Sequence, residues 1–182
     1  MAPIKFIKMV EEWFLIKLLN RIDIRKPMSS RFFESLARIV VVTGIEAVVI
    51  RDNPKSGKTE ILLVKRSEND PHWPNAFHVP GSILRKSDDG GYKDALNRVA
   101  KNELGISGFT KVEFAGTGFY PEKGRRGNNH GLIFLCGIDE DPRNGEFVAI
   151  EDLDRVYDSA SPIEDRRTII PLALERFEQK KE

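Results

Sequence analysis

The stretch PGSILRKSDDGGYKDALNRVAKNELGI, which runs from Pro80 to Ile106, decides the fold of this chain. It places a glycine turn and an acidic loop before a segment with helical apolar spacing, and we predict a helix over residues 92–104. One of the preceding aspartates is well placed as the N-cap, and Gly105 follows where a helix prefers to end on glycine. The apolar residues of this helix form one stripe that must face a sheet: Leu96, Val99, Ala100 and Leu104.

Glu103 lies beside that apolar stripe, so we expect its carboxylate at the edge of the core. A carboxylate in such a place is costly unless it is paired or bound to a cation. The residues alone leave two interpretations open. Glu103 is either the partner of a neighbouring arginine or lysine, or a ligand for a cation.

Segments rich in β-branched residues lie on both sides of the Pro80–Ile106 stretch, and we predict strands there. These segments are residues 37–43, 46–50, 60–66, 111–119, 132–138 and 146–150. Turn residues at 53–58 predict a hairpin between the second and third segments. Residues 163–180 have the spacing of a C-terminal helix. The order of elements predicts an α+β fold with a mixed β-sheet between helices.

Composition and charge argue against several classes of protein. The chain has 182 residues, of which 29 are basic and 28 acidic, and this balance argues against a nucleic-acid binder with a strongly basic surface. The one cysteine, Cys136, cannot form an internal disulfide, and no Cys/His cluster is present to build a zinc site. We therefore expect a soluble, cytoplasmic protein in which Cys136 is a small core residue.

Residues 1–35 form a predicted helical extension, and we place the domain at residues 36–182. The longest uninterrupted apolar run of the extension, residues 13–16, is far short of the ~20 residues that span a membrane. Apolar residues at helical spacing nevertheless give this helix a wide apolar surface. We expect it to pack on its own domain or to join two copies into a homodimer. Docking on a membrane surface is the other open interpretation.

The second half of the Pro80–Ile106 stretch resembles the Nudix box, whose family pattern is GX5EX7REUXEEXGU with U an aliphatic residue. The residues that match are Arg98, Ala100, Glu103, Gly105 and Ile106. Val99 and Asn102 stand where the pattern has two of its three closing glutamates. Counting from both ends leaves a two-residue insertion in the acidic loop, with Asp88 or Asp89 as a stand-in for the first glutamate.

The flanking residues resemble the same family over residues 38–180. Lys65-Arg66 ends the strand before the box, Trp73 lies in the loop that follows, and Pro80-Gly81-Ser82 stands where the family has Pro-Gly-Gly. Within the family, the reduced box is similar to that of GDP-mannose mannosyl hydrolase, which also lacks the two earlier glutamates. The resemblance implies a Nudix-type mixed β-sheet sandwiched between helices.

The resemblance also implies a Mg²⁺- or Mn²⁺-dependent hydrolase of a nucleoside diphosphate linked to another moiety, with a nucleotide sugar as one candidate. Glu103 and the backbone carbonyl of Gly81 would be the metal ligands, since a hard cation prefers oxygen donors. Arg98 would hold the glutamate side of the helix in place. Because two glutamates are absent, the alternative is a catalytically silent module that binds a nucleotide or a protein partner.

A small anionic nucleotide requires cationic and hydrogen-bonding side chains around it. Arg66, before the loop, and Ser82, in the Pro-Gly-Ser turn, are candidate substrate contacts. Arg125 and Arg126 lie in a glycine-bordered loop that suits an anion clamp. His130 follows that loop and is a candidate acid/base group, because histidine titrates near neutral pH. The alternative for these residues is an ordinary solvated or structural side chain.

Overall fold

The computed structural model describes residues 3–23, 29–120, 129–157, 162 and 165–181. The strands are β1 (Val42–Asp52), β2 (Thr59–Lys65), β3 (Phe77–His78), β4 (Gly81–Ile83), β5 (Lys111–Tyr120), β6 (Asn129–Gly137) and β7 (Glu146–Ala149). The α-helices are α1 (Pro3–Leu19), α2 (Ser30–Ala37), α3 (Tyr92–Arg98), α4 (Leu153–Val156) and α5 (Ile170–Glu178). Two short π-helical segments, Val99–Leu104 and Asp165–Ile169, and a 3₁₀ turn, Ile150–Asp152, complete the described elements.

The seven strands form a mixed sheet in the order β3-β2-β1-β6-β5, with β4 paired to β1 and β7 paired to β2. β1 lies parallel to β6, whereas its pairs with β2 and β4 are antiparallel. Antiparallel neighbours can be joined by a tight turn, and residues 53–58 make that turn between β1 and β2. The predicted hairpin and the predicted α+β fold are confirmed.

Side chains of β1 alternate between two apolar layers, because successive residues of a strand point to opposite faces. Ile45, Ala47 and Val49 face the layer that contains Val99 and Leu104. Val48 and Ile50 face the layer formed with α5 and Tyr157. Cys136 is buried in the first layer, and burial raises the pKa of its thiol to about 12, as expected for a core cysteine.

The predicted helix over residues 92–104 forms, as α3 continued by the π-helical segment; we call these two together the box helix. Gly105 ends it in the left-handed conformation with φ of 69°, as predicted. The predicted aspartate N-cap is wrong. The N-cap is Gly91, and the Asp88 carboxylate instead binds Arg98 and the backbone N–H of Arg85.

The segment before β1 differs from its prediction. Residues 37–43 were expected to form a strand, but α2 continues to Ala37, and β1 is one strand that includes both predicted segments from Val42 onward. The hydroxyl of Ser29 accepts a hydrogen bond from the N–H of Phe32 and so caps α2. Helix α2 crosses the predicted boundary at residue 35, and its Glu34 lies 3.0 Å from His72 Nε2 of the domain.

Helix α1 leaves the apolar side chains that the structure describes uncovered. Every described side chain from residue 11 to residue 20 is exposed, which contradicts the expectation that this helix packs on its own domain. Trp13, Phe14, Leu15 and Ile16 are each more than half exposed. Within the described part of the chain, no helix is long and apolar enough to cross a membrane.

Candidate functional site

A cavity of about 800 Å³ opens beside the first half of β1. The loop after β2, β4, the end of the box helix and the start of the C-terminal helical region enclose it. Nine ionisable side chains of the described residues line it: Glu46, Lys65, Arg66, Asp70, His78, Glu103, Tyr120, Arg143 and Asp165. The Pro80–Ile106 stretch therefore contributes one wall of a cavity whose other walls come from distant parts of the chain.

Glu103 lies at the inner end of the box helix, as predicted from its place beside the apolar stripe. Its Oε2 accepts a 2.9 Å hydrogen bond from the N–H of Gly81, and its Oε1 lies 3.4 Å from His78 Nε2. Burial raises the pKa of Glu103 to about 7, against the Gly81 hydrogen bond and the positive charge of Arg66, which lower it. Burial likewise lowers the pKa of His78 to about 3, so its imidazole is neutral.

Glu46 on β1 is a second cavity carboxylate, and the sequence analysis did not single it out. It lies opposite Gly81 in the β1–β4 pair, and no described residue donates a hydrogen bond to it. Burial raises its pKa to about 8, with smaller contributions from the negative charges of Asp165 and Glu103. The one sequence signal for Glu46 is a single charge at the start of an otherwise apolar run, residues 46–50.

Asp165 is a third carboxylate of the cavity wall, and it also escaped sequence analysis because it lies inside a predicted helix. Its Oδ2 accepts hydrogen bonds from the N–H of Val79, at 2.8 Å, and from the hydroxyl of Tyr157, at 3.1 Å. Burial and the charge of Asp165 raise the pKa of the Tyr157 hydroxyl, which therefore stays protonated. Asp165 thus fixes the chain immediately before Pro80 and Gly81.

Arg66 lines the cavity, as expected of a substrate contact. Its Nη1 lies 3.1 Å from Asp70 Oδ2, and its guanidinium carbon lies 5.0 Å from the centre of the Trp73 ring. Its Nε is buried without a hydrogen-bond partner. Partial burial acts to raise the pKa of Asp70, but N–H donors of Trp73 and His72, together with Arg66, lower it to about 2. Asp70 is therefore a fixed negative charge that orients Arg66.

Arg98 binds the acidic loop and β4 and has no hydrogen bond to Glu103. Its Nη1 contacts Asp88, while its Nη2 donates to the carbonyl of Ile83 at 2.7 Å and lies 3.4 Å from the Ser82 hydroxyl. Arg98 therefore links the box helix to the acidic loop and to β4, the strand that carries Gly81, and its predicted role toward Glu103 stays a prediction. Ser82 itself lines the cavity.

The structure separates His130 from this cavity. Asn129 and Gly131 of β6 line it, and because side chains alternate along a strand, His130 points to the opposite face. Arg125 and Arg126 lie outside the described residues. Of the predicted site residues, Glu103, Gly81, Ser82 and Arg66 are thus brought to the cavity, and His130 is not.

The cavity offers oxygen donors of the kind that a hard divalent cation prefers. Gly81 occupies a non-hydrogen-bonded position of the β1–β4 pair, so its carbonyl points away from β1, to the side where its N–H meets Glu103. In the described ranges no three or more His, Cys, Asp or Glu side chains are grouped so that they could hold a metal. The oxygen atoms that border Gly81 are its own carbonyl and the carboxylates of Glu46 and Glu103, fewer than the six or more that such a cation takes.

A family comparison agrees with this geometry. The profile described as NUDIX domain matches residues 43–169, which include β1, the box helix and the π-helical turn that carries Asp165. No protein of curated function matches the chain in sequence.

Solved structures with the same fold support the family match. The NUDIX domain of Shewanella oneidensis NrtR, complexed with ADP ribose, has a TM-score of 0.59 at 15% identity and covers 82% of this chain and 99% of its own. The MutT protein of Methanosarcina mazei Go1 has a TM-score of 0.54 at 19% identity, with 78% and 96% covered. The C. elegans Ap4A hydrolase has a TM-score of 0.51 at 21% identity, with 76% and 98% covered. At these identities the likeness shows the fold.

Proposed function

The chain belongs to the NUDIX domain family, and from that premise we propose that it hydrolyses a nucleoside diphosphate linked to another moiety, with the help of Mg²⁺ or Mn²⁺. One observation carries the proposal: Glu103, the closing glutamate of the box, lies in the cavity wall and contacts Gly81 of the Pro-Gly-Ser turn. The box residues therefore meet inside a cavity that can hold a small anionic molecule.

The divalent cation would be held by Glu103 and by the carbonyl of Gly81. When bound, it would neutralise phosphate charge and activate water. Burial is the main cause of the raised pKa values of Glu103 and Glu46, and a bound cation would favour the charged forms of both carboxylates. Arg98 keeps β4, and with it Gly81, in place.

Arg66 is the proposed contact for a phosphate of the substrate. Its guanidinium lies beside both the Trp73 ring and the cavity carboxylates, so an anion placed there would meet a cation and a flat apolar surface together. Ser82 is a further candidate contact. Arg125 and Arg126 remain candidate substrate contacts from sequence alone.

The substrate class is proposed from the resemblance of the box to the family, and two structural relatives are consistent with it. The relative from Shewanella oneidensis is complexed with ADP ribose, and the one from C. elegans is an Ap4A hydrolase. Both names concern nucleotides joined to another group through phosphates. A nucleotide sugar is the specific candidate that the GDP-mannose mannosyl hydrolase resemblance adds.

The alternative function is a catalytically silent module that binds a nucleotide or a protein partner. Val99 supports it, because this position of the box pattern is an apolar core residue that is 1% exposed. Asn102 lines the cavity but carries no charge. A structure of Shewanella oneidensis NrtR is complexed with a 27mer DNA, so a protein with this fold can bind nucleic acid. For this chain the near-zero net charge still argues against such a partner.

The test is a turnover assay with Mg²⁺ or Mn²⁺ and a panel of nucleotide sugars, dinucleoside polyphosphates and nucleoside triphosphates. We expect turnover of a diphosphate-linked member of the panel and a loss of at least about 100-fold in kcat/KM for Glu103→Gln, because metal stabilisation of phosphate charge contributes several kcal/mol. The control is Glu178→Gln, an exposed carboxylate of α5. Nucleotide binding without turnover of any compound would favour the silent module.

A further inference from the structure

The box helix supplies a single carboxylate to the cavity, which is few for a hard divalent cation that takes six or more oxygen ligands. Val99 is buried among apolar residues of the first core layer and Asn102 is neutral. Any further carboxylate for such a cation must therefore come from another part of the chain. Among the described residues that line the cavity, Glu46 of β1 has the position to supply it.

Two glycines make room for the Glu46 carboxylate. A Cβ on Gly81 would lie 2.2 Å from Glu46 Oε2, and a Cβ on Gly44 would lie 2.8 Å from Glu46 Oε1. A real Cβ cannot come this close to a carboxylate oxygen, so the Glu46 carboxylate packs directly against the backbone of β4 at Gly81 and of β1 at Gly44. Any other residue at position 81 would displace Glu46 from this place.

Of the three carboxylates Glu46, Glu103 and Asp165, only Glu46 accepts no hydrogen bond from a described residue. Asp165 is occupied by Val79 and Tyr157, and Glu103 accepts the N–H of Gly81. Glu46 receives no hydrogen bond from any described residue, although its side chain is largely withdrawn from solvent. A carboxylate in this condition is costly unless something else satisfies it.

The carboxylates of Glu46 and Glu103 both lie next to Gly81, which also has a carbonyl oxygen of its own. Its N–H binds Glu103, the Cα side faces Glu46, and its carbonyl points away from β1. The oxygens of Glu46, Glu103 and the Gly81 carbonyl therefore come from β1, the box helix and β4, yet all border one residue. This convergence points to a shared ligand.

We propose that Glu46 is a second carboxylate ligand for a divalent cation, supplied from β1 in place of the glutamates that the box helix lacks at positions 99 and 102. This inference rests on the proposed function, because the cation is the one that the hydrolase would use. It adds a ligand that the box pattern does not contain.

The test measures metal binding directly, with Mn²⁺ alone as the probe. Electron paramagnetic resonance of free Mn²⁺, or titration calorimetry, is carried out on the full chain and on Glu46→Gln, Glu103→Gln and the control Glu178→Gln. We expect both cavity variants to weaken Mn²⁺ binding by at least about 10-fold and the control to match the wild type. A thermal melt of each variant confirms that it is folded.

A rescue variant separates ligation from a structural effect. Asn102→Glu restores a glutamate to the box helix at a position that lines the cavity. In the Glu46→Gln background we expect it to recover most of the lost Mn²⁺ affinity, which a merely structural role of Glu46 would not allow.

Two results would overturn the inference. In the first, Glu46→Gln binds Mn²⁺ as tightly as the wild type while Glu103→Gln loses binding. Glu46 is then not a ligand, and the proposed function is unaffected. A wild-type chain that does not bind Mn²⁺ overturns it as well, and the turnover panel then decides separately whether the proposed function survives.

Discussion

Two helices of this chain have apolar stripes; the stripe of the box helix is covered, and the described part of the α1 stripe is exposed. In the box helix, Val99, Ala100 and Leu104 are at most 1% exposed, because the helix lies against β1. In α1, Trp13 and Phe14 are 55% and 59% exposed. Helical spacing of apolar residues thus predicts a helix in both places, but it does not say what each stripe contacts.

This difference shows which of the two helices contributes to the stability of the domain and to its cavity. The box helix is part of the core and ends at Glu103, so its packing and the position of a cavity carboxylate depend on one another. Helix α1 has no described contact that would make the domain depend on it. Its described apolar residues are exposed, and they are the surface on which the predicted homodimer contact would lie.

The largest expected effect comes from matched leucines in the two helices. Leu104→Ala should lower the free energy of unfolding by about 2–5 kcal/mol, because it opens a cavity at a fully buried position. Leu15→Ala, at a position 53% exposed, should change it by less than about 0.5 kcal/mol. Urea unfolding of both variants measures the contrast, and equal losses would contradict the division between the helices.

A second prediction concerns the carboxylate at the buried end of the box helix. The folded pKa of Glu103 is about 7, above its ordinary value of 4.5, so folding favours the protonated form. Its contribution to stability is therefore present in full below about pH 4.5 and is lost as the pH rises to about 7. Glu46 acts in the same direction up to about pH 8.

Urea midpoints between pH 5 and pH 8, in the presence of a chelator, measure this dependence. The midpoint of the wild type should fall as the pH rises, and Glu103→Gln should show a flatter profile because its amide does not titrate. Parallel profiles for the two proteins would mean that Glu103 does not couple folding to protonation.

The smallest effect on stability is expected from deletion of residues 1–28, which leaves the Ser29 cap of α2 in place. The free energy of unfolding should change by less than about 0.5 kcal/mol, because the described side chains of α1 are exposed. Sedimentation equilibrium of the same pair tests the predicted homodimer, which requires two copies for the full chain and one after deletion. The same number of copies for both proteins would eliminate α1 as the dimer contact.

Sequence reasoning found the parts of the site whose signals are local. Glu103, Gly81 and Arg66 stand close to recognisable turns and strand ends, and the structure brings all three to one cavity. Gly105 is predictable for a similar reason, since a helix end in the left-handed conformation selects glycine. The side of the sheet on which His130 lies had no such local signal, because proximity to a basic loop does not determine which strand face a side chain occupies.

Glu46 and Asp165 were not predictable because their roles depend on distant pairings. Glu46 meets Gly81 through the antiparallel register of β1 and β4, 35 residues apart in the sequence. Asp165 reaches the N–H of Val79 across 86 residues. A single charge in an apolar strand and an aspartate in a helix have no local pattern that would mark them.

The sequence by itself determined most of the elements, the glycine end of the box helix and the family, because apolar spacing, the glycine after a helix and the box pattern are properties of neighbouring residues. The tertiary structure alone decided which carboxylates share the cavity, which way Arg98 and His130 point, and that the described apolar side chains of α1 are exposed. The physical reason is that strand register and helix packing are set by the burial of the whole core, to which every segment contributes at once.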